Sequence, residues 1–283
     1  MKADGTSDDC GTFTKAWNSA TLHVLAGNYL LYPTTFGGPC KSPKITINLE
    51  GNLIASTDIN KINKVEDGSG LEINGGVLDG KGARYWLYKE DDGDCPVGSN
   101  SLVFNKCKNV SVNNLTSMSS KMFHIIFYES GRVRIYGVKV RAPANRPNTD
   151  GIHVEGSSDV LITDANIHTG DDCISIRPGT HDMWVEQVTC GPGYSIRLGQ
   201  YLDEPAAKRV WLCERESIDR VVMNNVENPI IMTRTTVHMN RTAHDQNYCP
   251  HEQNCPDQTK RPQASCIHAK GTAAGLITPP SCL

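Results

Sequence analysis

Two absences narrow the class of protein before any motif is considered. No apolar run in the 283 residues approaches the roughly 20 residues that a membrane-spanning helix needs, so we expect no membrane span. Basic residues are not in excess either, since the formal net charge is -3. A general nucleic-acid binder presents a broad basic face, and nucleic acid is therefore not expected as a partner.

Helical periodicity is also scarce, and short apolar runs take its place. The first residues of one set recur at intervals of 27, 22 and 22, at Ile125, Ile152, Ile174 and Ile196. A second set of alternating runs begins eight or nine residues later, at Val133, Val160 and Met183. No stretch between these runs keeps a 3.6-residue period long enough for a crossover helix.

Strands and turns that repeat at a fixed interval are typical of a solenoid. Each strand pairs with its copy in the next coil, about 4.8 Å away, and the inward residues form one continuous apolar column. The sequence therefore predicts an all-β fold, a parallel β-helix. With 38% hydrophobic residues and no segment that reads as a linker, residues 1–283 are expected to form a single domain.

One short helix is predicted, at the N-terminus. Residues 6–9 (Thr-Ser-Asp-Asp) offer capping side chains, and Phe13, Ala16 and Trp17 recur at helical spacing. Such a helix would cover the first coil, whose core and strand edge are otherwise exposed.

Cysteine usage indicates an oxidising compartment. The chain has 11 cysteines, an odd number that leaves at least one thiol without an internal partner. Glycosylation sequons at Asn109, Asn114 and Asn240 are compatible with secretion. The first residues, Met-Lys-Ala-Asp, lead directly into polar sequence, so we expect a secreted protein whose leader is removed or whose chain begins late.

Three aspartates fall into the register of the repeat. Asp150 and Asp172 are 22 residues apart, and Asp171 precedes the second of them. They should cluster on neighbouring coils, provided that Gly170 lets the backbone bend, because adjacent strand residues face opposite ways. A single Asp before Gly more commonly holds a turn, but three acids in register favour a catalytic cluster.

Clustered acids suit the cleavage of a glycosidic bond. Mutual repulsion and partial burial are expected to raise the pKa of one acid while the others stay ionised. The protonated acid can protonate the leaving oxygen while an ionised one orients or deprotonates water, or attacks directly.

Several blocks of sequence resemble the polygalacturonases, family 28 of the glycoside hydrolases, in their plant form and most nearly the pollen-type exo-acting enzymes. The blocks that carry the resemblance cover most of the chain and are residues 3–9, 75–80, 148–153, 170–176, 190–193 and 224–231.

The resemblance implies a right-handed parallel β-helix that hydrolyses α-1,4 linkages of polygalacturonic acid (pectin) with inversion, outside the cell and without a metal or cofactor. It casts Asp150 and Asp172 as general bases, Asp171 as the general acid and Asn148 as a residue that helps to place the sugar. It also implies two disulfides, Cys173 with Cys190 and Cys249 with Cys255. We expect a monomer.

The chain departs from the family pattern beside these acids. Tyr194 stands where the family has the histidine that supports the acid, and no Arg-Ile-Lys block, which binds the substrate carboxylate, exists anywhere. Arg197, in register with Ser175 and His153, is a candidate replacement cation; the alternative is an ordinary solvated arginine. His153 is a candidate partner of Asp150, or simply an exposed strand residue.

The C-terminal third departs further. Residues 200–283 are expected to be irregular and shortened relative to the family, with residues 200–218 much abbreviated and residues 233–244 inserted. Alternatives to an active hydrolase therefore stay open: a secreted pseudoenzyme or pectin-binding wall protein, a calcium-dependent lyase on the same fold, and a faulty transcript. Exo or endo action depends on loops that close the cleft and stays undecided.

Overall fold

The computed structural model describes residues 1–17, 19–32, 34–37, 42–57, 64–66, 69–91, 98–199, 214–228, 230–233 and 266–267. Four of the expectations lie outside these residues. They concern the abbreviated stretch at residues 200–213, the insertion at 234–244, the sequon at Asn240 and the pairing of Cys249 with Cys255.

The described residues form 24 strands and two helices. The helices are α1 (Cys10–Ala16) and α2 (Ala83–Asp91). The strands in the first half are β1 (Asp4–Asp8), β2 (Thr21–Val24), β3 (Asn28–Leu31), β4 (Thr35–Gly37), β5 (Ile45–Ala55), β6 (Lys64–Glu66), β7 (Ser69–Asp79), β8 (Leu102–Asn105), β9 (Lys108–Asn113), β10 (Thr116–Met118), β11 (Ile125–Tyr128), β12 (Gly131–Tyr136) and β13 (Lys139–Arg141). Those in the second half are β14 (Ile152–Glu155), β15 (Ser158–Thr163), β16 (Asn166–His168), β17 (Ile174–Ile176), β18 (His181–Glu186), β19 (Thr189–Cys190), β20 (Ile196–Leu198), β21 (Glu214–Asp219), β22 (Val222–Met223), β23 (Ile230–Thr233) and β24 (Cys266–Ile267).

Every described strand pair is parallel, and each strand pairs with its counterpart in the next coil. One sheet has nine strands, in the order β24-β23-β20-β17-β14-β11-β8-β6-β4. The other has 15 strands and carries two columns, β9-β12-β15-β18-β21 and β10-β13-β16-β19-β22, which the long strand β7 joins. A central coil therefore contributes three strands, one more than the minimum that the sequence predicted, and the parallel β-helix is confirmed.

The repeat register is also confirmed residue by residue. Ile152 pairs with Ile125 on one side and with Ile174 on the other, and Ile174 pairs in turn with Ile196. All four side chains are fully buried. Stacked β-branched side chains thus form the apolar column that holds the coils together, because each inward residue covers its copy one coil away.

Helix α1 covers the first coils as predicted. Asp8 Oδ1 accepts a hydrogen bond from the backbone N of Cys10 at 2.8 Å, so one of the expected capping side chains satisfies a free amide of the first turn. Phe13 packs edge-on against Tyr29, with ring centroids 6.1 Å apart, and Trp17 is buried with it in the core. The helix therefore closes the apolar end of the column.

Helix α2 corrects the expectation of a single helix. Its Tyr85 and Trp86 are buried, whereas the next two residues, Leu87 and Tyr88, are exposed. These four consecutive apolar residues do not recur at the three- and four-residue spacing of an amphipathic helix, which is why the sequence did not reveal α2. Among the described residues, no helix has the length and apolarity needed to cross a bilayer.

Candidate active site

The three aspartates converge at the edge of the nine-stranded sheet. Asp150 lies two residues before β14, and Asp171 and Asp172 lie just before β17, the next strand of that sheet. The backbone N of Gly151 donates to the carbonyl of Asp172 at 2.9 Å, which ties the two rungs together. One carboxylate oxygen of each acid lies within 4.8 Å of those of the other two. The clustering that the register predicted is thus present.

Gly170 is essential to this arrangement because of space. A Cβ at this position would lie 2.2 Å from the carbonyl oxygen of Arg146 and 2.5 Å from its nitrogen. The loop before Asp150 therefore passes directly over Gly170, and any side chain would push that loop away. The sequence indicated that a glycine was needed here, and close approach of two backbones is the reason.

Asp172 is the most deeply buried of the three acids. Its Oδ2 accepts a hydrogen bond from Arg197 Nε at 2.6 Å, and its Oδ1 accepts one from the Ser195 hydroxyl. The Arg197 side chain is itself only 10% exposed. Arg197 is therefore not a solvated arginine; it forms a buried, charge-assisted pair with a catalytic candidate.

Asp150 ends a chain of side chains that leads out to the surface. Its Oδ2 accepts a hydrogen bond from the Ser175 hydroxyl at 2.7 Å, and Ser175 Oγ lies 2.7 Å from His153 Nδ1. His153 Nε2 lies 3.5 Å from a carboxylate oxygen of Glu155, which is much more exposed. His153 thus reaches Asp150 through Ser175. When Asp150 is ionised, Ser175 donates its single proton to it, and His153 Nδ1 is then the donor to Ser175.

Asp171 is half-buried and therefore the most accessible of the three acids. Its Oδ2 accepts from the backbone N of Asn148 at 2.9 Å, and its Oδ1 accepts from the backbone N of Asp172 at 2.8 Å. Asn148 holds a left-handed backbone with φ of 58°, which asparagine adopts more readily than most residues. Its side-chain oxygen accepts a hydrogen bond from Lys89 of α2 at 2.9 Å.

Burial perturbs the ionisation of two acids, not of one as the sequence predicted. Burial raises the pKa of Asp150 well above its usual value, and the charges of Asp171 and Asp172 raise it further. Burial also raises the pKa of Asp172, to about 6, although the charge of Arg197 opposes the change. Both inner acids are thus hard to ionise, because neither is solvated and like charges lie beside them.

Tyr194 and the disulfide border the same site. The Arg197 guanidinium lies over the Tyr194 ring, 5.3 Å from its centroid, and burial raises the pKa of the Tyr194 hydroxyl. Cys173 and Cys190 form the predicted disulfide, with Cα atoms 5.9 Å apart. The disulfide joins the residue after Asp172 to strand β19 and fixes the backbone on which the inner acid sits.

Three acids so close together could also ligate a hard cation such as Ca²⁺, which prefers oxygen ligands. Two features of the cluster disfavour this use. The Arg197 guanidinium already places a positive charge on Asp172, and the raised pKa values of Asp150 and Asp172 favour protons on those oxygens. The cluster suits acid and base chemistry better.

Two serines and two cations of the site were missed at the sequence level. Ser175 lies in the column formed by His153 and Arg197, so the 22-residue register would have found it. Ser195, beside Arg197, carries no such signal. The charge of Arg177 lowers the pKa of Asp150, and Lys89 of α2 donates a hydrogen bond to Asn148. No local sequence motif marks either cation.

Carboxyl groups clustered at one site are the arrangement that glycoside hydrolases use to break a glycosidic bond. A family model described as glycosyl hydrolases family 28 matches residues 14–210. The chain therefore belongs to this family and is a glycoside hydrolase.

Relatives and solved structures agree with this placement. The chain is 32% identical over 370 aligned residues to a polygalacturonase of Prunus persica, covering 100% of this chain and 91% of that protein. It is 32% identical over 322 residues to an exopolygalacturonase of Platanus acerifolia, covering 97% and 82%. The first alignment is longer than this chain, so parts of that relative have no counterpart here.

The likeness to solved structures concerns the fold alone. A polygalacturonase from Erwinia carotovora ssp. carotovora gives a TM-score of 0.68 at 20% identity, covering 82% of this chain and 70% of that one. An endo-xylogalacturonan hydrolase from Aspergillus tubingensis gives 0.73 at 20% identity, covering 82% and 66%.

Proposed function

We propose that the chain hydrolyses the α-1,4-galacturonosidic linkages of polygalacturonic acid by acid and base catalysis. The observation that carries the proposal is the convergence of Asp150, Asp171 and Asp172 within 4.8 Å on adjacent rungs. The names of the plant relatives support the choice of substrate. No observation favours a role restricted to binding the cell wall.

Asp171 is proposed as the general acid, and Asp150 and Asp172 as the bases that hold water. Accessibility supports this division, because Asp171 is the least buried of the three acids and can reach a leaving oxygen that enters from solvent. Protonation offers a competing assignment. Because the pKa of Asp150 is raised, Asp150 also carries a proton that it can donate as the general acid. Asn148 and Tyr194 are proposed to contact the sugar, whereas His153 and Arg197 act through the acids that they support.

Inversion is proposed for the stereochemical course. The acids lie closer together than the roughly 6.5–9.5 Å that separates most inverting pairs, so distance alone does not decide the course. The hydrogen bonds that Asp172 already accepts support inversion. Ser195 and Arg197 engage both oxygens of Asp172, and this arrangement suits a carboxylate that orients water better than one that attacks carbon.

Release of reducing ends from polygalacturonate tests the proposal. Asp171→Asn should lower kcat by about 100-fold or more, because general acid catalysis contributes about 10²–10⁴-fold. Asp164→Asn is the matched control: Asp164 is an exposed turn residue with φ of 54°, a conformation that Asn also accepts. Wild-type protein without activity, or an unimpaired Asp171→Asn variant, would contradict the proposal.

Two further measurements assign the roles. An aryl α-galacturonide has a leaving group that hardly needs protonation, so it should restore turnover by Asp171→Asn but not by Asp150→Asn. Restoration by Asp150→Asn instead would exchange the two roles. Proton NMR of the first product should show the β anomer, and an α anomer would exclude inversion.

The compartment and assembly are proposed as extracellular and monomeric. The Cys173–Cys190 disulfide requires oxidising conditions, and the sequon residues Asn109 and Asn114 are exposed. Catalysis is proposed to need neither metal nor cofactor, with pectin as the partner and neither nucleic acid nor membrane involved. Activity should therefore persist in excess EDTA; loss in EDTA with recovery in Ca²⁺ would revive the lyase alternative.

A further inference from the structure

A site built from three acids has an electrostatic problem with a polyuronate. Each sugar of the substrate carries one negative charge, and like charges repel strongly in a partly buried cleft. Arg197 contacts Asp172, but it is engaged there in a buried pair. Arg177 acts by its charge on Asp150, the other inner acid. A cation beside Asp171, the most accessible of the three acids, is therefore needed to receive the carboxylate of the bound sugar.

Lys89 has the required position. It lies in the last turn of α2 and reaches across the fold to the loop that precedes Asp150. Its Nζ donates to the side-chain oxygen of Asn148 at 2.9 Å, and the backbone N of Asn148 donates to Asp171. A single residue thus separates the ammonium group from the proposed general acid.

The hydrogen-bond partner of the Lys89 ammonium group is neutral, so the positive charge of Lys89 is not neutralised by it. Asn148 supplies an amide oxygen, and among the described residues no carboxylate oxygen forms an ion pair with Lys89. The side chain is only partly buried, so an incoming anion can reach it. An ammonium group has three donors, and the bond to Asn148 uses one of them.

Helix α2 is anchored where Lys89 needs it. Arg146, in the loop before Asp150, lies over the Trp86 ring at 5.9 Å. Tyr85 on the same helix accepts a hydrogen bond from the backbone N of Gly98 at 2.9 Å. The helix is therefore docked against the loop that carries Asn148, and Lys89 is presented from a fixed support.

We propose that Lys89 is a substrate-binding residue that receives the carboxylate of a galacturonate unit beside the acid cluster. This inference rests on the proposed function and adds a specificity determinant to it: the charged form of the sugar is preferred because α2 supplies the cation. A charge-assisted hydrogen bond of this kind corresponds to about 10- to 100-fold in binding or rate.

Two variants of Lys89 separate its charge from its hydrogen bond. Lys89→Gln can still donate to Asn148 but carries no charge, so kcat/KM on polygalacturonate should fall about 10-fold or more, mainly through KM. Lys89→Arg keeps the charge and should recover most of the loss. Arg84→Gln is the matched control, since Arg84 is an exposed cation on the same helix and should leave kcat/KM unchanged.

Ionic strength provides an independent readout. Salt screens the attraction of an exposed cation for a polyanion, so KM of the wild type should rise with NaCl. The rise should be smaller in Lys89→Gln than in Arg84→Gln. A merely structural role for Lys89 would not change this salt dependence.

The outcomes separate the role of Lys89 from the proposed function. If wild-type protein releases no reducing ends, the proposed function fails. If the wild type is active and Lys89→Gln matches Arg84→Gln in both KM and salt dependence, the assignment of Lys89 is overturned while the proposed function stands. Equal loss in Lys89→Gln and Lys89→Arg would likewise overturn it, because the effect would then not follow the charge.

Discussion

The inner acids illustrate how a single arginine can set the working pH of a buried site. Asp172 must be ionised to act as a base, yet burial raises its pKa to about 6. Arg197 opposes this effect, because a positive charge in contact with the carboxylate favours the ionised form. The ionised fraction of Asp172 should therefore fall as the pH drops through about 6, and kcat/KM should fall with it.

Arg197→Gln is expected to move this acid limb to higher pH. Removing an opposite charge in contact with a carboxylate raises its pKa by about 1–3 units, so the limb of kcat/KM should shift upward by that amount. The measurement is kcat/KM against pH for wild type and variant. Arg134→Gln, which alters an exposed arginine paired with Asp159, should leave the profile in place. An unshifted limb in Arg197→Gln would show that Asp172 is not the titrating base.

At the same scale, the register predicted which side chains lie close together, but not how deeply they are buried or whether they are ionised. Counting 22 residues from Asp150 leads to Asp172, and counting from His153 leads to Ser175 and Arg197. Burial was not visible in the sequence: Arg197 and His153 stand at outward strand positions, but the structure buries both of them. Ionisation follows burial, and so the two raised pKa values could not be predicted.

At the scale of elements, strands were easier to predict than helices. The strands β11, β14, β17 and β20 repeat an apolar pattern at a fixed interval, and each repeat confirms the others. Helix α2 occurs once, and its buried aromatic residues pack against distant parts of the chain, Trp86 against Arg146 and Tyr85 against Gly98. Lys89 could not be placed from sequence for that reason, since its contact with Asn148 spans 59 residues.

The disulfide should contribute to both stability and geometry at this scale. It closes a loop between Cys173 and Cys190, 17 residues apart, for which chain entropy gives about 3 kcal/mol of stabilisation. Cys190→Ser should lower the free energy of unfolding by about that amount and should also reduce kcat, because Cys173 is joined to Asp172. Denaturant unfolding and kcat measured together test this. Cys107→Ser, at a buried cysteine of an earlier coil, controls for loss of a buried sulfur.

At the scale of the whole molecule, the solenoid core explains why the site is rigid. Each coil contacts its neighbours, so stability is approximately a sum over coils and their interfaces. The acids lie just before β14 and β17, which are paired with strands on both sides, whereas the first coils have α1 on one side. The predicted fold class followed from this repetition. The family, and the fold of the residues that the structure describes, could therefore be predicted from the 22-residue spacing and the motif blocks, whereas individual side-chain partners could not.

The same repetition predicts that equal damage to the core has unequal effects on function. Ile174 in β17 and Ile45 in β5 are both almost fully buried, so truncation of either to Ala should cost about 2–5 kcal/mol of stability. Ile174 lies next to the disulfide cysteine that follows Asp172, and its loss lets the inner acid shift. Ile45 lies in an early coil, well before the acids along the solenoid. At a temperature where both variants stay folded by circular dichroism, Ile174→Ala should lower kcat about 10-fold or more, since misplacement by about 1 Å can cost about 10²-fold, whereas Ile45→Ala should leave kcat near wild type. Equal kcat in the two variants would mean that the coils do not hold the acids independently, and the local account of the site would be wrong.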